Sequence, residues 1–240
     1  MKNPKDYLIF PLDVPTYEEA IHYIDILKEY VGIFKVGLEL FVSAGPKIIE
    51  EIKKRSGAGI FLDLKFHDIP ATVQSAFLAA SKYGVKFITV HCDKGEGLLR
   101  SIVENNTSGT KILGVTVLTS LDGTDLKKLG YRDEYVNDVT ELVMLRAGIA
   151  RDAGCSGIIC SGLEVEKVKT AFGMDFIAVT PGIRPAWSLK NTDDQRRVIT
   201  PEQAIRKGAD HIVIGRPIRT ADNPAKAAEN VLNEIAMAIS

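Results

Sequence analysis

Hydrophobic residues in this chain gather into short, continuous runs rich in Val, Ile and Phe. They fall at 7–13 (YLIFPLD), 32–40 (GIFKVGLEL), 59–65 (GIFLDLK), 86–91 (KFITVH), 111–119 (KILGVTVLT), 156–161 (SGIICS), 175–182 (DFIAVTPG) and 211–217 (HIVIGRP). Unbroken runs of this length suit strands covered on both faces, as in a parallel sheet. Helix-like segments lie between them. In 16–30, Thr16 with Glu19 three positions on has the capping-box pattern, and Ile21, Ile24 and Leu27 share one side. Segments 43–55, 138–154 and 223–239 read as further helices, the second closing at Gly154, a residue suited to the position just past a helix end. Eight such alternations in 240 residues predict one α/β domain, 1–240, folded as a (β/α)8 TIM barrel. The runner-up is an open doubly wound sheet. That fold usually carries a Gly-rich phosphate loop after its first strand, and the PLDVPT that ends the first run here has no glycine.

Composition narrows the field. Hydrophobic residues make up 45% of the chain, enough for a sizeable core. Net charge is −1, so the broad basic field of a nucleic-acid binder is missing. No stretch approaches the roughly 20 apolar residues that span a bilayer, and the apolar run in MKNPKDYLIFPLD is too short and too soon charged for a signal peptide. The expectation is a soluble, cytoplasmic protein with neither nucleic acid nor membrane as partner. Cys92, Cys155 and Cys160 give an odd count without CxxC spacing, and they read as buried, inert thiols rather than disulfides or zinc ligands.

In such a barrel the active site sits at the C-terminal strand ends. Those ends carry Asp13, Lys35, Asp63 with Lys65, His91, Thr119 with Ser120, Ser161, Thr180 and Gly215 with Arg216. Any strand turns polar where it meets solvent, which accounts for His91 and Ser161. It accounts poorly for Lys35 and Lys65, which lie inside apolar runs, where a charge is costly unless paired. Two-residue periodicity puts Asp63 and Lys65 on one side of their strand, and Lys35 can join them from the next. Asp68 lies past the strand end. The stiff Ile69-Pro70 that follows can project it away from its own barrel, towards a neighbouring subunit. The structural alternative is a salt-bridge network that only ties strands together.

A second cluster lies late in the chain. PGIRP (181–185) and IGRPI (214–218) follow the last two runs. Loops after strands 7 and 8 of a barrel often hold phosphate. There glycine permits close backbone approach and arginine offers a planar fork. The intervening 183–200 is long for such a loop and reads as a lid, with Arg184 and Gln195 as candidate phosphate contacts.

DLKFHDIPATV (63–73) resembles the DxKxxDIPxT signature of orotidine 5′-phosphate decarboxylases. PLDVP with Asp13, FKVG with Lys35, TVLTS with Thr119 and Ser120, TPGIRP with Arg184, DDQ with Gln195, and IGRPI with Gly215 and Arg216 follow in the family's order. The resemblance spans nearly the whole chain. Ala71 stands where Asn is frequent in the family. The resemblance implies decarboxylation of orotidine 5′-monophosphate to uridine 5′-monophosphate, without metal or organic cofactor, in pyrimidine synthesis. It implies Lys65 as proton donor to C6, Asp63 beside the departing carboxylate, and Lys35 and Asp68 completing an alternating charged array. Asp68 and Thr72 would come from the second subunit of a homodimer with shared sites. Asp13 and Lys35 would bind ribose hydroxyls, and Thr119 or Ser120 the pyrimidine edge. Arg184, Gln195, Gly215 and Arg216 would hold the phosphate.

The wider DxKxxD pattern also occurs in metal-dependent sugar-phosphate decarboxylases and synthases, which form the competing enzyme class. A non-catalytic binder of a phosphorylated ligand is the alternative outside enzymes. His22, His67, His91 and His211 are not assigned to catalysis.

Overall fold

The computed structural model describes residues 3–188 and 199–239. Eight parallel strands close into a barrel in sequence order, with the last hydrogen-bonded to the first. They are β1 (Leu8–Pro11), β2 (Ile33–Gly37), β3 (Gly59–Phe66), β4 (Phe87–His91), β5 (Lys111–Val115), β6 (Gly157–Ile159), β7 (Ile177–Thr180) and β8 (His211–Val213). Each apolar run of the sequence contains one strand. Except for β3, which runs one residue past its run to Phe66, the strands are shorter than the runs, and Asp13, Thr119, Ser120 and Gly215 stand in the loops beyond them.

The barrel has two cores. Ile9, Ile33, Phe61, Phe87, Leu113 and Val179 form a cluster made only of strand residues, which fills the interior. Their neighbours in sequence, among them Phe10, Phe34, Leu62 and Ile88, point outward and pack against the helices. Two positions beyond the interior residues of β1 to β5 come Pro11, Lys35, Asp63, Thr89 and Val115. An apolar floor thus carries a second, largely polar inward layer, set at the C-terminal mouth.

The helices follow the sequence with two differences. Tyr17–Leu27 is capped by Thr16, whose hydroxyl accepts from the Glu19 N–H; the reciprocal half of the box is not formed. The helix expected over 43–55 is two helices, Leu38–Ala44 and Lys47–Arg55. Gly45, at φ 63°, and Pro46 break them apart. Helix Val139–Asp152 stops as expected, with Gly154 just beyond it at φ 84°. Among the described residues no helix is long and apolar enough to cross a membrane. The three cysteines are buried and form no disulfide among the described residues. Burial raises the Cys92 thiol and pushes Cys155 up to about 12, which keeps both protonated and unreactive.

One ion pair with a buried lysine ties the last two strands to their helix layer. Lys169, 4% exposed on helix Val165–Phe172, donates to the Met174 and Phe176 carbonyls at 3.0 and 2.8 Å and to Asp210 Oδ2 at 2.6 Å. The same carboxylate oxygen accepts the Ala178 N–H of β7. Removing the ammonium strands two carbonyls without their donor. Lys169→Ala should therefore lower stability by about 2–4 kcal/mol in urea denaturation, part of the full cost being relieved because Asp210 reaches solvent. A loss below about 0.5 kcal/mol would mean that water replaces the ammonium without penalty.

Candidate active site

A cavity of about 280 Å³ opens at the C-terminal end of the barrel. Asp13, Lys35, Asp63, Lys65, Thr119, Arg184, Gly215 and Arg216, all singled out from the sequence, line it. Its remaining wall includes apolar Phe61, Val115, Val117, Leu118, Ile159 and Val213.

Asp63 is the hub of the charged side. Its Oδ2 accepts from Lys65 Nζ at 2.8 Å and stands 3.6 Å from Lys35 Nζ. Its Oδ1 accepts from the Thr89 hydroxyl at 2.9 Å. Lys35 Nζ also donates to Asp13 Oδ1 at 2.9 Å, so Asp13, Lys35, Asp63 and Lys65 form a chain of alternating charge. Burial by itself would raise the Asp63 carboxyl. The Lys35 and Lys65 charges, with the hydrogen bonds from Lys65 and Thr89, outweigh burial and hold it below the ordinary value of 3.8.

Lys65 reaches this position through an irregular backbone. β3 advances four residues, Leu62 to Phe66, while β4 advances two, Ile88 to Val90. Within this bulge Lys65 has φ 49°, the only positive φ of a non-glycine residue among those described. Such a conformation costs roughly 1–3 kcal/mol and persists only where its surroundings impose it. Simple two-residue alternation therefore predicts the right face for Lys65 without describing how it gets there. Its backbone N–H donates to Thr89 Oγ1 at 2.9 Å.

The opposite side is built by the loops after β7 and β8. Arg184 is buried, and its backbone N–H donates to the Ile199 carbonyl at 3.0 Å, beside a parallel bridge between Ile183 and Ile199. A Cβ on Gly215 would lie 2.8 Å from Pro11 Cγ, so only glycine fits against the cavity wall there. Arg219, not singled out from the sequence, lines the cavity too, and its guanidinium donates to the Asp13 carbonyl. It lies beyond the GRPI motif, which hid it. Thr89 was also missed, although a polar residue inside FITVH was the available signal.

Asp68, Thr72 and Ser120 are exposed and do not line this cavity. Asp68 accepts the adjacent Ile69 N–H. Gln195 lies outside the described residues. His67 pairs through Nε2 with Asp93 at 2.9 Å and lies against the His91 ring. His22 is exposed on its helix, and the buried His211 ring packs edge-on against Phe87.

Comparison with known proteins gives a consistent family. The model of the Orotidine 5′-phosphate decarboxylase / HUMPS family matches residues 6–231. An orotidine 5′-phosphate decarboxylase of Desulfosudis oleivorans is 51% identical over 98% of this chain and 95% of its own. One of Gloeothece citriformis is 46% identical over 96% of this chain and 98% of its own. The crystal structure of orotidine 5′-phosphate decarboxylase from Lactobacillus acidophilus superposes with a TM-score of 0.81 at 36% identity, covering 95% of this chain and 98% of that one.

The electrostatics make the Asp63 carboxylate measurable. Its carbon-13 titration by NMR should show a midpoint below 3.8. Because the folded value is depressed, its stabilising contribution is complete above the unfolded value and is lost as pH falls through the folded one. A midpoint above 4 would mean that burial prevails over the two lysines.

Proposed function

The chain belongs to the Orotidine 5′-phosphate decarboxylase / HUMPS family, and on that premise we propose how its cavity removes CO2 from orotidine 5′-monophosphate to leave uridine 5′-monophosphate. The substrate is anionic at both ends. Its carboxylate belongs at the Lys35–Asp63–Lys65 side and its phosphate at the Arg184–Arg216 side, where guanidinium forks suit phosphate oxygens. Asp13 and Lys35, both in the cavity wall, take the ribose hydroxyls in this reading. Thr119, in the cavity wall, is better placed than exposed Ser120 for the pyrimidine edge. The apolar Val115, Val117 and Ile159 exclude water from the ring.

In the reaction the C6–carboxylate bond breaks and its electron pair stays on C6. The Lys65 ammonium stabilises that pair and then gives C6 a proton, after which solvent reprotonates the amine. Asp63 holds the ammonium in place. It also faces the departing carboxylate, and their repulsion fades as CO2 leaves neutral. Phosphate binding, remote from C6, supplies energy for holding these groups in register. The observation that carries this reading is the Asp63–Lys65 contact at 2.8 Å, at the wall of a cavity whose far side presents Arg184 and Arg216. These groups supply the charge stabilisation and the proton without a metal or organic cofactor.

The active form in this reading is a cytoplasmic homodimer. Asp68 and Thr72 face solvent rather than their own cavity. Leu38, Val42 and Ile69, which follow the C-terminal ends of β2 and β3, are 57%, 82% and 65% exposed. A second copy covering this apolar patch would bring its Asp68 and Thr72 to the charged array.

Three outcomes test these assignments. Ultraviolet absorbance should show rapid loss of the orotate chromophore after chelation and dialysis, and Lys65→Ala should cut turnover by at least about 100-fold. A requirement for restored magnesium, with activity on a sugar phosphate, would move the chain to the metal-dependent relatives. Mixing inactive Lys65→Ala and Asp68→Ala proteins should restore activity, because a hybrid dimer has one intact site. Failure of the mixture after demonstrated subunit exchange would place Asp68 outside a shared site.

A further inference from the structure

Thr89 lies in the middle of β4, fully buried, and is not among the residues that line the cavity. Its single hydroxyl makes two bonds. The oxygen accepts the Lys65 backbone N–H at 2.9 Å, and the proton goes to Asp63 Oδ1 at 2.9 Å. Lys65 in turn reaches Asp63 Oδ2 through its ammonium at 2.8 Å. Backbone amide, hydroxyl, carboxylate and ammonium therefore form a closed ring, in which Lys65 is gripped at both ends. The ring encloses the bulge between Leu62 and Phe66 and the left-handed conformation of Lys65. Without an acceptor at Thr89 the Lys65 amide has no reason to point towards β4, and the strained conformation loses its support.

We propose that Thr89 is a positioning residue for the reaction: its hydroxyl locks the bulged backbone of Lys65 and one oxygen of Asp63, and so aims the Lys65 ammonium at the reacting carbon. The proposal rests on the reading of Lys65 as the proton donor. Thr89 touches no substrate, and the ribose and phosphate contacts lie on other residues. Its removal should therefore cost turnover rather than binding. Valine keeps the shape of threonine but neither bond, whereas serine keeps both.

The test is steady-state decarboxylation by Thr89→Val and Thr89→Ser beside the wild type. The expected result is a fall in kcat of about 10- to 100-fold for valine with KM within about twofold, and recovery by serine to within about threefold of the wild type. Should the valine protein fail to fold, Thr89→Ala against Thr89→Ser isolates the hydroxyl, since both lack the γ-methyl group. A valine or alanine variant that turns over like the wild type, or a serine variant as impaired as either, would overturn the proposal. A second readout needs no turnover. Losing the Thr89 hydrogen bond should raise the Asp63 carboxyl midpoint in the valine protein and not in the serine protein, and identical titrations would show that the hydroxyl does not hold the ring. A wild type that fails to decarboxylate would defeat the reading of Lys65, whereas the titrations would still decide whether Thr89 holds the ring.

Discussion

A carboxylate cannot stay ionised inside a barrel unless something offsets its lost hydration, and the architecture of this site follows from how Asp63 meets that demand. A bare ion in the interior costs several kcal/mol even after relaxation. Asp63 has two ammonium groups and a hydroxyl around it. None of the three can be dropped cheaply, and each comes from a different place: Lys35 from β2, Lys65 from the bulge of β3, Thr89 from β4. The carboxylate therefore fixes the mutual arrangement of three adjacent strands as much as they fix it. In return its Oδ2 holds the Lys65 ammonium at the cavity wall.

The barrel supplies this arrangement through layering. Interior residues such as Ile33, Phe61 and Phe87 close the floor, and the next inward positions, Lys35, Asp63 and Thr89, carry the polarity. Water is excluded from below while the mouth stays open, so the charged groups act in a medium of low effective dielectric. On the far side the loops after β7 and β8 bring arginines to the same cavity. A molecule with two separated negative charges is the ligand that such a divided surface fits. At the opposite end of the same strands, the Lys169–Asp210 pair fastens the start of β7 to the helix layer and to the residue before β8.

The sequence made some of this legible for physical reasons. Strands covered on both faces read as continuous apolar runs, so all eight stood out, and Lys35 and Lys65 stood out because an unpaired charge in such a run is unaffordable. Arg184, Gly215 and Arg216 were visible because glycine beside arginine at a strand end has few other uses. Other features were hidden. A bulge leaves no mark in a pattern read with a period of two, so the strained Lys65 backbone was unseen. Thr89 passed for an ordinary strand former, since threonine is common in strands. The break at Gly45-Pro46 was written in the sequence but lay within a helical pattern that continues on both sides. Asp68 and Thr72 are exposed and lie outside the cavity, so no pattern within the chain ties them to it.

The most direct measurement is a crystal structure of the protein with uridine 5′-monophosphate bound. The phosphate should lie on Arg184 and Arg216, and C6 of the pyrimidine should face the Lys65 ammonium, which remains bonded to Asp63. A nucleotide bound the other way round, or a Lys65 ammonium turned away from C6 with its bond to Asp63 broken, would contradict this reading of the site.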